Sequence, residues 1–202
     1  MFKRHIFFFF LFLFSCSSNH EKRELQSEIV VLSEKIKNDP SNINFLLERI
    51  ALNKANNYLE SMLYDYKQII SLDSLNFDFH YSIAEIYFQL SKKPDANPQY
   101  PTFVKHHLEQ SINLNSSYFQ SHALMGELML AYAVFNEENY KKAIDCFNLS
   151  LRLNYNQERT HMLLGYTFKQ LGNEEDAINC FRNSINVNPD FYESYVQLGQ
   201  IF

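Results

Sequence analysis

The chain has 202 residues, 46% of them hydrophobic, with 18 Lys and Arg against 23 Asp and Glu for a formal net charge of −5. That acidic balance, with no basic stripe along any segment, excludes nucleic-acid phosphate as the main ligand, because displacing counterions takes clustered Lys and Arg. Four glycines and no Trp beside 13 Tyr and 19 Phe point to packed helices, not to a barrel or sandwich, and leave little material for phosphate-cradling turns.

The first segment stands apart from the rest. Lys3 and Arg4 precede an apolar run of nine residues, Ile6 to Phe14, and Ser15-Cys16 closes it. Nine residues span only about 14 Å as a helix, well short of the roughly 30 Å hydrocarbon core, which marks a signal-peptide h-region and not a transmembrane span. Leu13, Ser15 and Cys16 resemble a bacterial lipoprotein box, with Phe14 bulkier than usual. The resemblance implies cleavage after residue 15, diacylation of Cys16 and stable anchoring in a membrane of the cell envelope, the outer membrane being the expected one. Removing residues 1–15 takes Lys3 and Arg4 and no acid, so the net charge moves from −5 to −7. Residues 16–23 then form a short polar tether.

Residues 24–38 show helical spacing of Leu25, Ile29, Leu32 and Ile36 and end at Asp39-Pro40, with polar residues within and just before them (Glu21, Lys22, Arg23, Glu24, Glu28, Glu34, Lys35, Lys37) suited to a cap. Residues 43–76 offer Leu46, Ile50, Met62, Tyr66 and Ile69 at helix-pair spacing but place Arg49 and Asn53 at apolar steps. Residues 77–118 carry His80, Ile83, Ala84, Tyr87, Val104, Leu108 and Ser111. Pro94, Pro98 and Pro101 put their extra length in a surface loop at 91–101. Residues 119–157 carry His122, Met125, Gly126, Ala143, Phe147 and Ser150, with five extra residues around Tyr132 and Phe135. Residues 158–191 are the clearest unit: His161, Leu164, Gly165 and Phe168 fall at i, i+3, i+4 and i+7. Gly172-Asn173 interrupts, and Ala177, Phe181 and Ser184 resume before Pro189. Residues 192–202 restart the pattern with Tyr195, Leu198, Gly199 and Phe202.

The 34-residue unit resembles the tetratricopeptide repeat, whose steps run large residue, Leu-Gly, aromatic, Ala, aromatic, small residue and Pro. The resemblance covers residues 24–202 and implies an all-α, right-handed superhelical solenoid of antiparallel helix pairs. The unfinished last unit leaves Leu198, Ile201 and Phe202 to be covered by dimerisation, by a bare cap arrangement, or by further chain, and a sequence cut short is the favoured expectation.

No nucleophile–base arrangement, phosphate loop or HExxH motif is present, so no catalytic residue, metal or cofactor is expected. His80, His122 and His161 share one step of successive repeats. Stacked pairs lie roughly 8–10 Å apart, too far to share an ion bound at about 2.1 Å, so these rings are read as packing residues. Cys146 and Cys180 likewise share a step too widely spaced for a disulfide. The family resemblance implies a concave groove lined by the first helices. On this chain its steps include Asn44 and Lys54, then Asp78, Tyr81, Glu85, Phe88 and Gln89. They continue with Glu127, then Arg159, Met162, Tyr166 and Lys169, while the loop at 91–101 with Tyr100 is placed to fold over one rim. Scattered bases among acids argue against a carboxylate clamp and for aromatic and apolar anchors. The expected function is a lipid-anchored scaffold or adaptor binding a partner protein's peptide or helix. The alternatives are a solute-binding lipoprotein of an outer-membrane uptake system and the targeting module of a longer enzyme.

Overall fold

A computed structural model describes residues 25–202. The apolar run, Cys16, the tether and Glu24 lie outside the described residues. Among those described, the structure is all-helical. It divides into two compact units, one reaching to Ser74 and one spanning Leu75–Phe202.

The first unit holds α1 (25–38), α2 (Ile43–Ala55) and α3 (Leu59–Leu72), with α2 packed on α3. Leu32 and Ile36 of α1 are buried as their spacing predicts, yet Val30 and Val31 are exposed, so the cap is less polar than its charged residues suggest. At the apolar steps of α2, Asn53 is buried and Arg49 half-buried. Arg49 is neutralised there by Asp65 of α3, with Nε donating to Oδ2 at 3.0 Å and Nη2 to Oδ1, and its Nη1 donates to Ser33 Oγ of α1 at 2.9 Å. A charge withdrawn from water is tolerable only when paired and hydrogen-bonded in this way.

The second unit holds α4 (Phe77–Leu90), α5 (Tyr100–Leu114), α6 (Phe119–Tyr132), α7 (Glu138–Leu153), α8 (Glu158–Gln170), α9 (Glu174–Val187) and α10 (Tyr192–Gly199). Antiparallel pairs form from α4 with α5, across the longer loop 91–99, from α6 with α7 and from α8 with α9, and each second helix packs on the next first helix. The first helices α4, α6, α8 and α10 also touch one another in series, whereas among the described residues no two second helices approach closely. An inner row and a splayed outer row result.

Small residues set the pairing. A Cβ on Gly165 would stand 2.8 Å from the Phe181 ring, and one on Gly126 would stand 2.6 Å from the Phe147 ring, both rings being fully buried. Ser150 and Ser184 do more than leave room, because their hydroxyls donate to the carbonyls of Phe119 and Glu158 at the start of the paired helix. Ser111 and Ser184 further bond Ser121 and Ser194 of the following repeat. Turns between repeats use a recurring Asn: the side chains of Asn115, Asn154 and Asn188 each accept the backbone N–H two residues on.

Two expectations are corrected. The inserted loop ends before Pro101, which occupies the first turn of α5, where a missing N–H costs nothing. Tyr100 consequently belongs to a helix and packs 5.4 Å from the buried Tyr87 ring, inside the pair and not over a rim. The last helix closes at Gly199, where Gln200 N–H turns back to Leu198 O, and Phe202 lies beyond it, 88% exposed.

Candidate interaction groove

The inner row of the second unit forms a groove of about 450 Å³ between α4, α6 and the start of α8. It brings together Tyr81, Glu85, Phe88, Gln89, Glu127 and Arg159, six of the residues named from the repeat steps, with Gln120 and Ala123 at further groove steps of α6, and adds Lys92, Leu124, Asn156, Gln157, Glu158 and Thr160. Helical spacing explains the α4 set: Tyr81, Glu85 and Phe88 recur at three or four residues on one face, and Lys92 follows in the turn beyond the helix.

Glu127 and Arg159 join across α6 and α8 in a bidentate pair, Nε to Oε1 at 3.1 Å and Nη2 to Oε2 at 2.8 Å. The hydrogen bond to Glu127 holds the Arg159 guanidinium above its already high ordinary pKa. Burial, followed by the carboxylates of Glu85, Glu127 and Asp78, pushes the Tyr81 hydroxyl well above its usual range, so Tyr81 stays a protonated donor at any physiological pH. Its ring meets Tyr118 edge-on at 5.3 Å, and Tyr118 donates to Asp78 Oδ1 at 2.8 Å. Gln120 Oε1 is a buried acceptor with no partner among the described residues, an unmet demand for a donor on the groove wall.

The remaining groove-step residues are placed elsewhere. Asp78 is committed to Tyr118. Phe88 is 8% exposed with Lys92 Nζ 4.1 Å over its ring, so it offers a ligand an edge only. Met162, Tyr166 and Lys169 lie farther along α8, where Lys169 donates to Gln200 Oε1 at 2.9 Å. Asn44 and Lys54 are exposed residues of the first unit.

Lys92 was missed because it lies beyond the last helical residue of α4. Asn156 and Gln157 were missed because only the fold carries a turn between repeats to the groove edge.

The shared histidine step has a structural occupation. His122 Nε2 lies 2.8 Å from Ser116 O and His161 Nε2 lies 3.0 Å from Tyr155 O, each ring pinning the turn six residues before it. Burial lowers the His161 pKa from its ordinary value, against a smaller raising effect of the Tyr155 carbonyl. Among the described residues no group of three or more His, Cys, Asp or Glu is placed to share a metal ion. Cys146 and Cys180 are free thiols, pushed up to about 11 and about 12 chiefly by burial.

Residues 158–191 match the family model of the tetratricopeptide repeat. No curated protein sequence matches the chain. Solved structures match it over most of its length. MamA superposes with a TM-score of 0.67 at 17% identity, covering 85% of this chain and 93% of that one. YrrB, described as a TPR protein with an unusual peptide-binding site, gives 0.67 at 14% identity over 89% and 86%. TTC0263, a thermophilic TPR protein of Thermus thermophilus, gives 0.62 at 13% identity over 91% and 93%. The all-α array of helix pairs is thus the tetratricopeptide-repeat fold, with residues 158–191 its best-matched repeat.

Proposed function

We propose that this protein is an interaction scaffold that holds a partner protein's peptide or helix in the groove of α4, α6 and α8, tethered to a bacterial envelope membrane through Cys16. The observation that carries the reading is the groove wall itself: a protonated Tyr81, the unmet acceptor Gln120 Oε1 and the Glu127–Arg159 pair converge on one concave surface. Donors and acceptors alternating along an inner helix row suit an extended backbone, which presents both. YrrB, which shares the fold, is described as having a peptide-binding site. Apolar matter from the partner fills the space beside Leu124 and Phe88, where burial supplies affinity and the polar groups supply register. No reacting centre is required of the groove, and the assigned role is recognition.

A photoactivatable side chain introduced at Gln89, which lines the groove, should cross-link a partner peptide in envelope preparations, whereas the same group at the exposed Lys141 on α7 should not. Equal capture at both positions would remove the groove assignment. Metabolic labelling with a palmitate analogue tests the tether separately: label present on the wild type and absent from Cys16→Ala is the expected result.

A further inference from the structure

The first unit contains a polar cavity that the groove does not use. At three steps where the later repeats carry larger or apolar groups, residues 43–76 place Arg49 (against Ile83, Met125 and Leu164), Asn53 (against Tyr87, Met129 and Phe168) and Asp65 (against His107, Cys146 and Cys180). The three exchanges converge on one cavity of about 430 Å³ lined by α1, α2 and α3, a volume within the range of small-molecule sites. Arg49 and Asp65 satisfy each other, whereas the Asn53 side chain is left facing the cavity. It is 2% exposed, lines the cavity, and no hydrogen bond joins its side chain to another described residue. Its amide atoms are not sealed in the core and open onto the cavity, at a step where the other repeats carry Tyr87, Met129 and Phe168.

We propose that this cavity binds a free, neutral, polyhydroxylated solute of the sugar class. Its charge is balanced in the interior, because the Asp65 carboxylate accepts from the Arg49 guanidinium and neither ion is left over to select a charged ligand. The groups that remain are the Asn53 amide and the hydroxyls of Ser61 and Tyr64, each able to donate and accept, as sugar hydroxyls are. Arg49 spends Nε and one Nη2 N–H on Asp65 and one Nη1 N–H on Ser33, and retains the second N–H of each terminal nitrogen for a ring or hydroxyl oxygen. The Tyr64 ring, 60% exposed beside these groups, provides a flat apolar face.

Thermal shift and calorimetry on the full chain test this with glucose and N-acetylglucosamine as neutral probes and glucuronate as the anionic one. A neutral probe at tenfold excess over its Kd should raise Tm by about 4 °C, with one site per chain and a markedly weaker response to glucuronate. Asn53→Leu, which restores an apolar side chain at that step, should keep the helical signal and lose the shift. Ser61→Ala, at an exposed position on the same rim, should weaken binding about threefold or more and serves if Asn53→Leu does not fold. Tyr81→Ala in the groove should leave sugar binding unchanged, so failure here is distinguishable from failure of the groove. The proposal is overturned by the absence of neutral-sugar binding up to about 10 mM, by glucuronate binding as well, or by an unchanged shift in Asn53→Leu and Ser61→Ala.

Discussion

Gly165 sits where the backbone of α8 meets the Phe181 ring, and the contact leaves no room for a methyl group. Ala is the better helix former by about 1 kcal/mol, but a Cβ 2.8 Å from a fully buried ring and 3.0 Å from Ala177 O forces the pair apart. Gly165→Ala should therefore lower stability by about 1–2 kcal/mol in urea titration, while Gly199→Ala, with nothing within 4 Å of its Cβ, should not lower it. A Gly165→Ala protein as stable as the wild type would refute the close-packing account. His161 supplies a pH signature. Its folded-state pKa lies below the unfolded value, so the unfolded chain binds the proton more readily, and stability is full above about pH 6.5 and falls as pH drops through the window beneath it. His161→Gln should flatten that part of the stability-against-pH curve, and an unaltered curve would exclude His161 as its source.

At the scale of the helix, α2 and α3 are joined by polar chemistry where α8 and α9 are joined by an apolar interlock. Asp65→Ala strands the Arg49 guanidinium, whose side chain is only 15% exposed, and should cost about 3–5 kcal/mol. Arg49→Leu combined with Asp65→Cys copies the Leu164 and Cys180 of the later repeat and should recover most of that loss, measured by chemical denaturation of all three proteins. If the double variant is no more stable than Asp65→Ala, the pair is not the origin of the cost. These contrasts also show what sequence made legible. Helix positions, the Gly–Phe contacts and the buried small residues follow from a step pattern that recurs, so each repeat checks the others. Arg49 and Asn53 stood out as breaks in that pattern. Their resolution was hidden because Asp65 lies 16 residues from Arg49 on another helix, and because a side chain's partner has no periodic signature. The histidine step was legible as buried packing, but the carbonyl partners of His122 and His161 and the His107 partner of His80 were not, since a side chain's partner leaves no mark in the step pattern.

Across the whole molecule, contacts run between neighbouring helices, which makes stability local. Phe181→Ala removes a fully buried ring and should cost about 3–5 kcal/mol, with amide exchange accelerating in α8 and α9 far more than in α2 and α3. Uniform acceleration along the chain would contradict a repeat-wise architecture. The same locality governed the candidate site. Repeat steps identified the inner face, and six of the named residues do meet there, but they could not show that Lys169 is engaged by Gln200 or that Lys92 covers Phe88. Such details depend on side chains from two helices arriving together. Bending of the second unit has a built-in direction. Because α4, α6, α8 and α10 touch in a row while α5, α7 and α9 do not touch one another, flexure concentrates along the inner row, and the outer helices can spread or close with few contacts broken. The groove is in effect mounted on a leaf spring, able to trade width for curvature, so that the fit of the partner proposed for it would be set by the elasticity of the whole unit as well as by the side chains it touches.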